Sequence, residues 1–342
     1  LTLRILGIGP GDEVITSVYT YTASASVIDH VGAKIILVDT APDSFEMDYT
    51  KLAECITDKT KVIIPVDIAG KMCDYNKIYE IVESKKALFK ANNEMQRLFN
   101  RVIIMADAAH AFGAESHGRK CGQVADFTSF SFHAVKNLTT AEGGAVVWRT
   151  NLGLDDEWLY KQFMLFSLHG QSKDALAKTQ KGAWEYDIVY PAFKCNMTDV
   201  LAGLGLIQLS RYKGLMERRK EIIEAYDNAM AKIGVKRLKH FGENYSSSGH
   251  LYLTRIPGIG ETERNEIIIK MAEAGIATNV HYKPLPMFTA YKNLGFDIND
   301  YPNAYRQYSN EITLPLHTLL NDEEVEYIYE NFQRAIEGVI NR

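Results

Sequence analysis

Short apolar runs alternate with amphipathic segments through the first half of the chain. Runs of strand length lie at residues 34–39, 61–66 and 101–107, and segments with helical spacing of apolar residues separate them. Strands that are apolar on both faces and alternate with helices are typical of a parallel sheet that helices cover on both sides. The pattern therefore predicts an α/β fold, and ligands of such folds bind beyond the carboxyl ends of the strands.

A further strand is predicted at residues 127–132, where aromatic and polar residues alternate, and it leads into a loop of small and hydroxylic residues that contains Lys136. A lysine after a strand is most often a surface residue. Here, however, serine, threonine and histidine residues surround it in sequence, and no acidic residue follows before Glu142. This setting favours an amine with a lowered pKa, which Schiff-base chemistry needs, so that Lys136 is a candidate nucleophile.

The strand at residues 101–107 ends in Asp107, and His110 follows three residues later. A carboxylate at the end of a buried strand needs a partner. An aspartate at one strand end and a lysine after a later strand suit pyridoxal 5'-phosphate (PLP), because the lysine holds the aldehyde and the aspartate keeps the pyridine nitrogen protonated. PLP is therefore the cofactor that these two residues predict.

Three motifs carry a resemblance to a known family: Asp-Ala-Ala-His at 107–110, Ser-Phe-His-Ala-Val-Lys-Asn at 131–137 and Glu-Gly-Gly at 142–144. In this order and spacing the chain resembles the DegT/DnrJ/EryC1/StrS family of PLP-dependent sugar aminotransferases. The resemblance extends over nearly the whole chain. Residues 131–144 are most similar to the subgroup that makes UDP-4-amino-4-deoxy-L-arabinose, the UDP-4-amino-4-deoxy-L-arabinose/oxoglutarate aminotransferases.

The resemblance implies the aspartate aminotransferase (type I) fold, with a large, mostly parallel sheet of the seven-stranded type flanked by helices and a smaller C-terminal α/β domain. The expected domains are residues 1–215, which bind PLP, and residues 216–342. In the second domain the hydrophobic pattern predicts, in order, a strand at 250–256, a helix at 263–274, a strand at 277–282 and a terminal helix at 322–340.

By the same resemblance, Lys136 forms the Schiff base with PLP and then moves a proton between the amino donor and the cofactor. Asp107 contacts the pyridine nitrogen, His110 hydrogen-bonds near the ring oxygen, and Ser131 binds the phosphate. His281 belongs to a stretch that lies near the sugar in the family, but a lone histidine without a known partner is more often structural.

Two further site residues have alternatives that stay open. Tyr21 matches the aromatic residue that stacks on the pyridine ring, and the alternative is a core tyrosine, because the chain has 19 tyrosines. Asn196 matches the asparagine that reaches the cofactor phosphate of the neighbouring subunit. The alternative is a cap for the apolar helix predicted at residues 200–209, since asparagine is a good N-cap. One residue can serve both purposes.

The activity that the resemblance implies is transfer of an amino group from glutamate, with 2-oxoglutarate as product, to a nucleotide-linked keto-sugar. A UDP-4-keto-pentose or -hexose is expected, in cell-surface polysaccharide or lipopolysaccharide biosynthesis, with a homodimer that shares its active sites. A related branch carries histidine in place of the lysine and performs dehydration, so Lys136 argues for transamination. The alternatives are another type I PLP enzyme, such as a lyase, and a non-catalytic sensor on the same fold.

Composition excludes other classes of function. The 342 residues are 46% hydrophobic and 24% charged with a net charge of -5, which gives no reason to expect nucleic-acid or membrane-surface binding. There is no run of eighteen apolar residues and no signal peptide, so the cytoplasm is expected. The cysteines lack Cys-x-x-Cys spacing, which favours buried thiols over a metal site or disulfides; they are Cys55, Cys73, Cys121 and Cys195.

Three further features are predicted at other positions of the chain. The chain begins within a helical pattern, and in the family the preceding segment supplies a helix start that cradles the cofactor phosphate. The glycines at 7, 9 and 11 follow this helix and precede a strand, which predicts a helix-stopping turn rather than a dinucleotide fingerprint. Residues 171–190 are polar and irregular, which predicts a mobile loop over the site.

Overall fold

The computed structural model describes residues 1–150, 152–172 and 185–340. Its strands in chain order are β1 (Glu13–Ser17), β2 (Lys34–Val38), β3 (Thr60–Ile64), β4 (Ile103–Asp107), β5 (Glu115–Ser116), β6 (Arg119–Lys120), β7 (Phe127–Ser131), β8 (Gly144–Trp148), β9 (Lys236–Arg237), β10 (Phe241–Gly242), β11 (Tyr245–Ser246), β12 (Tyr252–Arg255) and β13 (Glu311–Leu314). Most of the loop expected at residues 171–190 lies outside the described ranges.

Helices follow most of the strands. In chain order they are α1 (Thr2–Ile5), α2 (Ala23–Asp29), α3 (Tyr49–Cys55), α4 (Tyr75–Ser84), α5 (Glu94–Phe99), α6 (Asp156–Ser167), α7 (Asp199–Lys232), α8 (Glu261–Glu273), α9 (Thr289–Asn293), α10 (Pro302–Ser309) and α11 (Asp322–Ile340). Among the described residues, no helix has both the length and the apolar character that a bilayer crossing requires.

The large sheet has the strand order β2-β1-β3-β4-β7-β8. The first five strands are parallel, and β8 is antiparallel to β7. The direction reverses because β7 and β8 are connected by a loop. A parallel arrangement would need a crossover connection, usually through a helix. The predicted mostly parallel α/β sheet is confirmed, with six strands among the described residues where the resemblance implies seven.

Apolar residues of this sheet alternate between two buried clusters, one on each face. In β3, Val62 and Ile64 pack into one cluster, and Ile63, which lies between them, packs into the other. Successive side chains of a strand point to opposite faces, so both faces must be covered when every residue is apolar. This explains why the strands are continuous apolar runs rather than alternating ones.

The C-terminal part forms a second core around a three-stranded antiparallel sheet in the order β13-β12-β9. The helix α7 enters this core with its second half, including Ile222 and Tyr226. The helix predicted at 200–209 is therefore the first part of one continuous helix of 34 residues. The proposed domain boundary between residues 215 and 216 falls within it.

One predicted strand is wrong: residues 277–282 make only an isolated bridge, between Asn279 and Thr313. Two backbone hydrogen bonds join Asn279 and Thr313, and beyond this bridge side chains take the place of a neighbouring strand. The Val280 N–H donates to Asn279 Oδ1, and the His281 N–H donates to Glu311 Oε2. This segment is therefore held by side-chain acceptors, and the predicted helices on either side of it are found as α8 and α11.

The predicted glycine turn is present between α1 and β1. Gly7 has φ +65°, a left-handed conformation, and a Cβ at this position would lie 2.5 Å from Asn93 Nδ2. Asn93 Nδ2 also donates to Leu6 O, so its position is fixed. Only glycine satisfies both the backbone angle and the close contact.

A buried ion pair connects the strands that carry the candidate site residues. Asp126, immediately before β7, is completely buried and accepts two hydrogen bonds from Arg101, of 2.7 and 2.8 Å. It also accepts from the N–H of Ile104 in β4 and from the Tyr79 hydroxyl of α4. One carboxylate thus fixes β7 relative to both β4 and α4.

We expect Asp126→Asn to lower the free energy of unfolding by about 3 kcal/mol, because the guanidinium of Arg101 would then lose its buried counter-charge and keep only the exposed Glu83, at 3.6 Å. Denaturant titration of the purified protein measures this change. The matched control is Asp58→Asn, which removes a solvent-exposed carboxylate paired with Lys90 and should leave the midpoint unchanged. Equal midpoints for the two variants would contradict the importance assigned to the Asp126 pair.

Candidate active site

A cavity of about 450 Å³ opens at the carboxyl ends of β4 and β7. Five of the six predicted site residues line it: Tyr21, Asp107, His110, Ser131 and Lys136. The sixth, Asn196, is not among the lining residues. The volume is within the usual range for a small-molecule site, and the location is the one that the parallel sheet dictates.

Asp107 is the last residue of β4, and hydrogen bonds fix both its backbone and its carboxylate. Its Oδ2 accepts a hydrogen bond of 2.5 Å from Ser24 Oγ, and its Oδ1 accepts from the N–H of Ala109 at 3.1 Å. Thr20 Oγ1 lies 2.8 Å from Ser24 Oγ, so that it donates to the serine that donates to the aspartate. The partner that a buried strand-end aspartate needs is thus supplied by α2.

The loop that carries Lys136 is closed at its base by backbone hydrogen bonds. The Phe132 N–H donates to Gly143 O at 2.9 Å, and the Thr140 N–H donates to Phe132 O at 2.9 Å. Within the loop, Asn137 Nδ2 donates to Ser248 O at 2.7 Å, which attaches it to a distant segment. These bonds hold the lysine in place, although most of the loop has no regular secondary structure.

Burial lowers the pKa of the Lys136 amine, and the carboxylate of Asp107 partly opposes this shift. The direction agrees with the sequence-based prediction, but the cause differs. The threonine hydroxyls expected to surround the amine instead stabilise the loop, since Thr139 Oγ1 donates to Phe132 O and Thr140 Oγ1 donates to Glu142 O. Desolvation, which favours the neutral amine, explains the lowered pKa.

His110 is buried at the floor of the cavity with a pKa well below its usual value, because burial and the nearby Lys136 disfavour the imidazolium. Its Nδ1 accepts a hydrogen bond of 3.1 Å from the N–H of Ala69, so the neutral ring carries its proton on Nε2. Nε2 lies 3.2 Å from the Tyr282 hydroxyl. The ring also packs against His250, with centroids 4.3 Å apart.

Tyr21 lies at the mouth of the cavity with 62% of its surface exposed. The alternative of a core tyrosine is therefore wrong, and the stacking role stays a prediction. The ring lies 6.2 Å from that of Tyr282, at an interplanar angle of 45°. Ser131, the last residue of β7, lines the cavity and lies two residues before the exposed His133.

Asn196 is exposed and contacts Lys194 and the backbone of Met197. The alternative of a helix cap is wrong, because the N-cap of α7 is Thr198, whose side chain accepts a hydrogen bond from the Leu201 N–H. The contact with a cofactor phosphate in a neighbouring subunit stays a prediction.

Several residues of the site were not identified from the sequence. Ser24 lies in a stretch of small residues that predicts only a helix, and His250 begins an apolar strand without any motif. Its Nδ1 lies 2.9 Å from Asn137 Oδ1, beside the lysine. The sequence gives one indication of these two residues: Ser24 and His250 are polar residues within segments of small or apolar residues. A polar residue in such a segment indicates a buried hydrogen-bond partner.

Asp67 is a buried carboxyl group directly beside Asp107 in the sheet. Its N–H donates to Asp107 O at 2.9 Å. Its side chain accepts hydrogen bonds from the Tyr75 hydroxyl and from the Cys73 N–H, each at 2.9 Å. Burial nevertheless raises the pKa of Asp67 to about 7, and Asp107 adds to the shift. This carboxyl is expected to titrate in the neutral range.

The matching relatives agree with this geometry. The family model of the DegT/DnrJ/EryC1/StrS aminotransferase family matches residues 1–333. The spore coat polysaccharide biosynthesis protein SpsC of Bacillus subtilis is 33% identical over 342 residues, which cover 99% of this chain and 82% of that protein. The UDP-4-amino-4-deoxy-L-arabinose--oxoglutarate aminotransferase of Shewanella sediminis is 31% identical, over 96% of this chain and 81% of that protein.

Among solved structures, Spr1654 of Streptococcus pneumoniae, described as a sugar aminotransferase, superimposes in its PMP form with a TM-score of 0.97. It is 57% identical, over 99% of this chain and 85% of that chain. The PLP form of the same protein superimposes with a TM-score of 0.95. The fold and the cavity define a PLP-dependent aminotransferase of fold type I. The chain belongs to the DegT/DnrJ/EryC1/StrS aminotransferase family, a family of sugar aminotransferases with relatives in polysaccharide biosynthesis.

We expect Asp67 to make the stability of the protein depend on pH. Its folded-state pKa, about 7, lies well above the ordinary value of an aspartate, about 3.9, so the folded state binds the proton more tightly. The stability that this contributes is fully present below about pH 4 and is lost as the pH rises through 7. Between pH 5 and pH 8, Asp67→Asn should therefore lose less free energy of unfolding than the wild type loses. Denaturant titration at the two pH values measures this difference.

The control for this prediction is Asp58→Asn, which changes an exposed carboxylate and should follow the wild-type pH dependence. The quantity to compare is the difference between pH 5 and pH 8 for each protein, because other groups titrate in the same interval. An identical difference in wild type and Asp67→Asn would mean that the carboxyl does not titrate there.

Proposed function

We propose that this protein transfers an amino group from glutamate to a nucleotide-linked keto-sugar, with Lys136 as the residue that attaches PLP. The observation that supports this most directly is the presence of the Lys136 amine and the Asp107 carboxylate in one cavity at neighbouring strand ends. Lysine and aspartate are the two groups that PLP chemistry requires from a protein, one at the aldehyde and one at the pyridine nitrogen.

The lining of the cavity fits PLP. The carboxylate of Asp107 is oriented by Ser24 and Ala109, so that it is available to a ring nitrogen in a defined direction. We assign the phosphate to the Ser131 hydroxyl and the face of the ring to Tyr21. Bound PLP supplies an electron sink that stabilises negative charge on the carbon next to the nitrogen.

We assign the movement of the proton to Lys136. An amine whose pKa is lowered by burial has a larger neutral fraction near neutral pH, and only the neutral amine can take a proton. His110 is neutral and holds its Nε2 proton toward the Tyr282 hydroxyl. We expect this Nε2 proton to form a hydrogen bond with the ring oxygen of bound PLP as well as with the Tyr282 hydroxyl. The hydrogen bond to Tyr282 would then be weaker.

The relatives guide the choice of substrate. One is named for UDP-4-amino-4-deoxy-L-arabinose and oxoglutarate, and a relative in Caulobacter vibrioides is named GDP-perosamine synthase. Both names describe amino sugars linked to a nucleotide. We therefore propose a keto-sugar nucleotide, a UDP-4-keto-pentose or -hexose first, with the amino sugar entering a cell-surface polysaccharide or lipopolysaccharide.

We also propose a homodimer with shared active sites. The first turns of α7 expose apolar side chains, with 82% of Val200, 69% of Leu206 and 61% of Ile207 exposed. Large apolar patches of this kind are unfavourable on an isolated chain. Asn196 immediately precedes this surface and does not reach the cavity of its own chain, which supports its assignment to the cofactor phosphate of the partner subunit.

We expect Lys136→Ala to lower turnover by at least about 10³-fold, because both the attachment of the cofactor and the proton carrier are lost. Turnover is measured with glutamate and a panel of UDP-, dTDP- and GDP-linked keto-sugars. Borohydride reduction followed by peptide mapping identifies the modified lysine in the wild type.

The matched control is Lys161→Ala, which removes an exposed lysine paired with Glu157 and should leave turnover unchanged. Label on a peptide without Lys136 would refute the assigned attachment. Similar turnover with all nucleotides would leave the aminotransferase assignment intact and would remove the preference for UDP-sugars.

Shared active sites lead to a prediction about hybrid dimers. We expect Asn196→Ala to weaken PLP binding by about tenfold, because a hydrogen bond to a charged phosphate is lost. A hybrid of one Lys136→Ala subunit and one Asn196→Ala subunit then has one site with both defects and one with none. At a PLP concentration that saturates the wild type but not Asn196→Ala, its activity should be about half that of the wild type, whereas each homodimeric variant falls well below.

If Asn196 acted in its own subunit, both sites of the hybrid would be defective and the activity would stay low. The dimer itself is tested with Leu206→Asp, which should increase the monomer fraction in analytical ultracentrifugation. Lys232→Asp, at the exposed end of the same helix, is the matched control and should remain dimeric.

A further inference from the structure

His281 lines the same cavity as Lys136, and the structure gives it the partner that its sequence context did not reveal. Its Nδ1 lies 2.9 Å from Thr313 Oγ1. Among the described residues, its Nε2 has no hydrogen-bond partner. One nitrogen of the ring is therefore bound to the protein, and the other remains available to a molecule in the cavity.

The contact with Thr313 continues to a buried carboxyl group. Thr313 Oγ1 lies 2.6 Å from Glu311 Oε1, and Glu311 is completely buried. The other oxygen, Oε2, accepts a hydrogen bond of 2.8 Å from the His281 N–H. Glu311 and Thr313 are alternate residues of β13, so they lie on one face of the strand. A rigid chain of hydrogen bonds thus runs from the cavity through His281 and Thr313 to Glu311.

The direction of this chain depends on the proton of Glu311. When Glu311 is ionised it can only accept, so Thr313 donates to it and accepts from His281 Nδ1–H, which leaves Nε2 as an acceptor. When Glu311 is protonated it can donate to Thr313, which then donates to Nδ1. In that state the ring proton is on Nε2, and the nitrogen that faces the cavity is a donor.

Both states are accessible at neutral pH. Burial raises the pKa of Glu311 to about 8, although the hydrogen bonds from Thr313 and His281 and the charge of Arg264 act in the opposite direction. Arg255 of β12 is paired directly opposite Glu311 in the sheet, and its guanidinium forms an ion pair with Asp43. Tyr19 and Tyr282 are further titratable groups near this carboxyl. Both are phenols, and burial raises their pKa values further, so they stay neutral throughout the neutral range.

We propose that Glu311 and Thr313 position His281 so that its Nε2 hydrogen-bonds an oxygen of the keto-sugar, and that the proton of Glu311 decides whether Nε2 donates or accepts. This rests on the proposed function for the identity of the substrate. His281 is the residue that touches the substrate, and Thr313 and Glu311 are positioning residues.

The chain also moves a proton without charging the imidazole. A proton taken from a substrate hydroxyl at Nε2 is balanced by transfer of the Nδ1 proton to Thr313 and of the threonine proton to ionised Glu311. No imidazolium forms, which suits a histidine whose pKa is lowered to about 4 by burial and by Lys136. Reversal of the same transfers returns the proton to the sugar oxygen.

The direct test is the tautomer of His281 in the PLP-bound enzyme, without sugar, from long-range ¹H–¹⁵N NMR of histidine-labelled protein. His281→Gln identifies its signals among the nine histidines. We expect the Nε2–H tautomer at pH 6, the Nδ1–H tautomer at pH 9 and a midpoint near the pKa of Glu311, about 8. Glu311→Gln should keep the Nε2–H tautomer at both pH values, because its amide can only donate to Thr313 while its carbonyl accepts from the His281 N–H.

The kinetic test compares Thr313→Val with Thr313→Ser. Valine has the shape of threonine without the hydroxyl, so we expect KM for the keto-sugar to rise by about tenfold, which corresponds to the loss of one oriented hydrogen bond. Serine keeps the hydroxyl and should restore KM. Borohydride trapping at Lys136 should be the same in both variants, which separates this contact from attachment of the cofactor.

A His281 tautomer that is the same at pH 6 and 9, or that Thr313→Val does not change, would refute the proposal. So would equal KM values for the valine and serine variants. The NMR outcomes are independent of the proposed function, since the tautomer is measured without substrate, whereas the KM comparison presupposes the keto-sugar as substrate. Conversely, failure of borohydride trapping at Lys136 would refute the proposed function and leave the NMR result standing.

Discussion

The site depends on how a parallel sheet buries polar groups at its carboxyl edge. Strands that are apolar on both faces cannot carry chemistry along their length, so the side chains that this sheet supplies to the site, such as Asp107 and Ser131, lie at the strand ends. At this edge Asp67 and Asp107 lie side by side, joined through their backbones. Each carboxyl must find hydrogen-bond donors in a place that water reaches poorly. Asp107 finds Ser24 and Ala109, and Asp67 finds Tyr75 and Cys73.

The same requirement explains what could be predicted from the sequence. The apolar runs predict the strands, and the strand ends give the places of Asp107 and Lys136, because that inference needs only local periodicity and one rule of α/β folds. Ser131 is assigned through the resemblance to the family. The partners come from distant parts of the chain. Ser24 precedes Asp107 by 83 positions, and His250 follows Asn137 by 113. No local pattern indicates which of many serines or histidines will fill such a position, so these contacts could be found only in the structure.

Two wrong predictions have a similar cause. The strand expected at residues 277–282 has the composition of a strand, but after the bridge at Asn279 the N–H groups of Val280 and His281 donate to the side chains of Asn279 and Glu311, which a hydrophobic pattern does not reveal. The cap expected at Asn196 is instead Thr198, two residues later. Asparagine and threonine are both common N-cap residues. Whether Asn196 or Thr198 caps α7 depends on where the preceding loop approaches the helix. In each case tertiary contacts overrode a local preference that was itself correct.

Desolvation then gives the cavity its chemical character. Burial lowers the pKa of Lys136, lowers those of His110 and His281, and raises that of Glu311, so that all four groups shift toward their neutral forms. Groups that burial shifts toward their neutral forms can exchange protons through hydrogen bonds without creating charges that water would have to solvate. The Asp107 carboxylate is the neighbouring charge that raises the pKa of the Lys136 amine and partly opposes the effect of burial. The fold therefore controls proton positions through burial, which is a property of the whole sheet and its covering helices, rather than through any single catalytic contact.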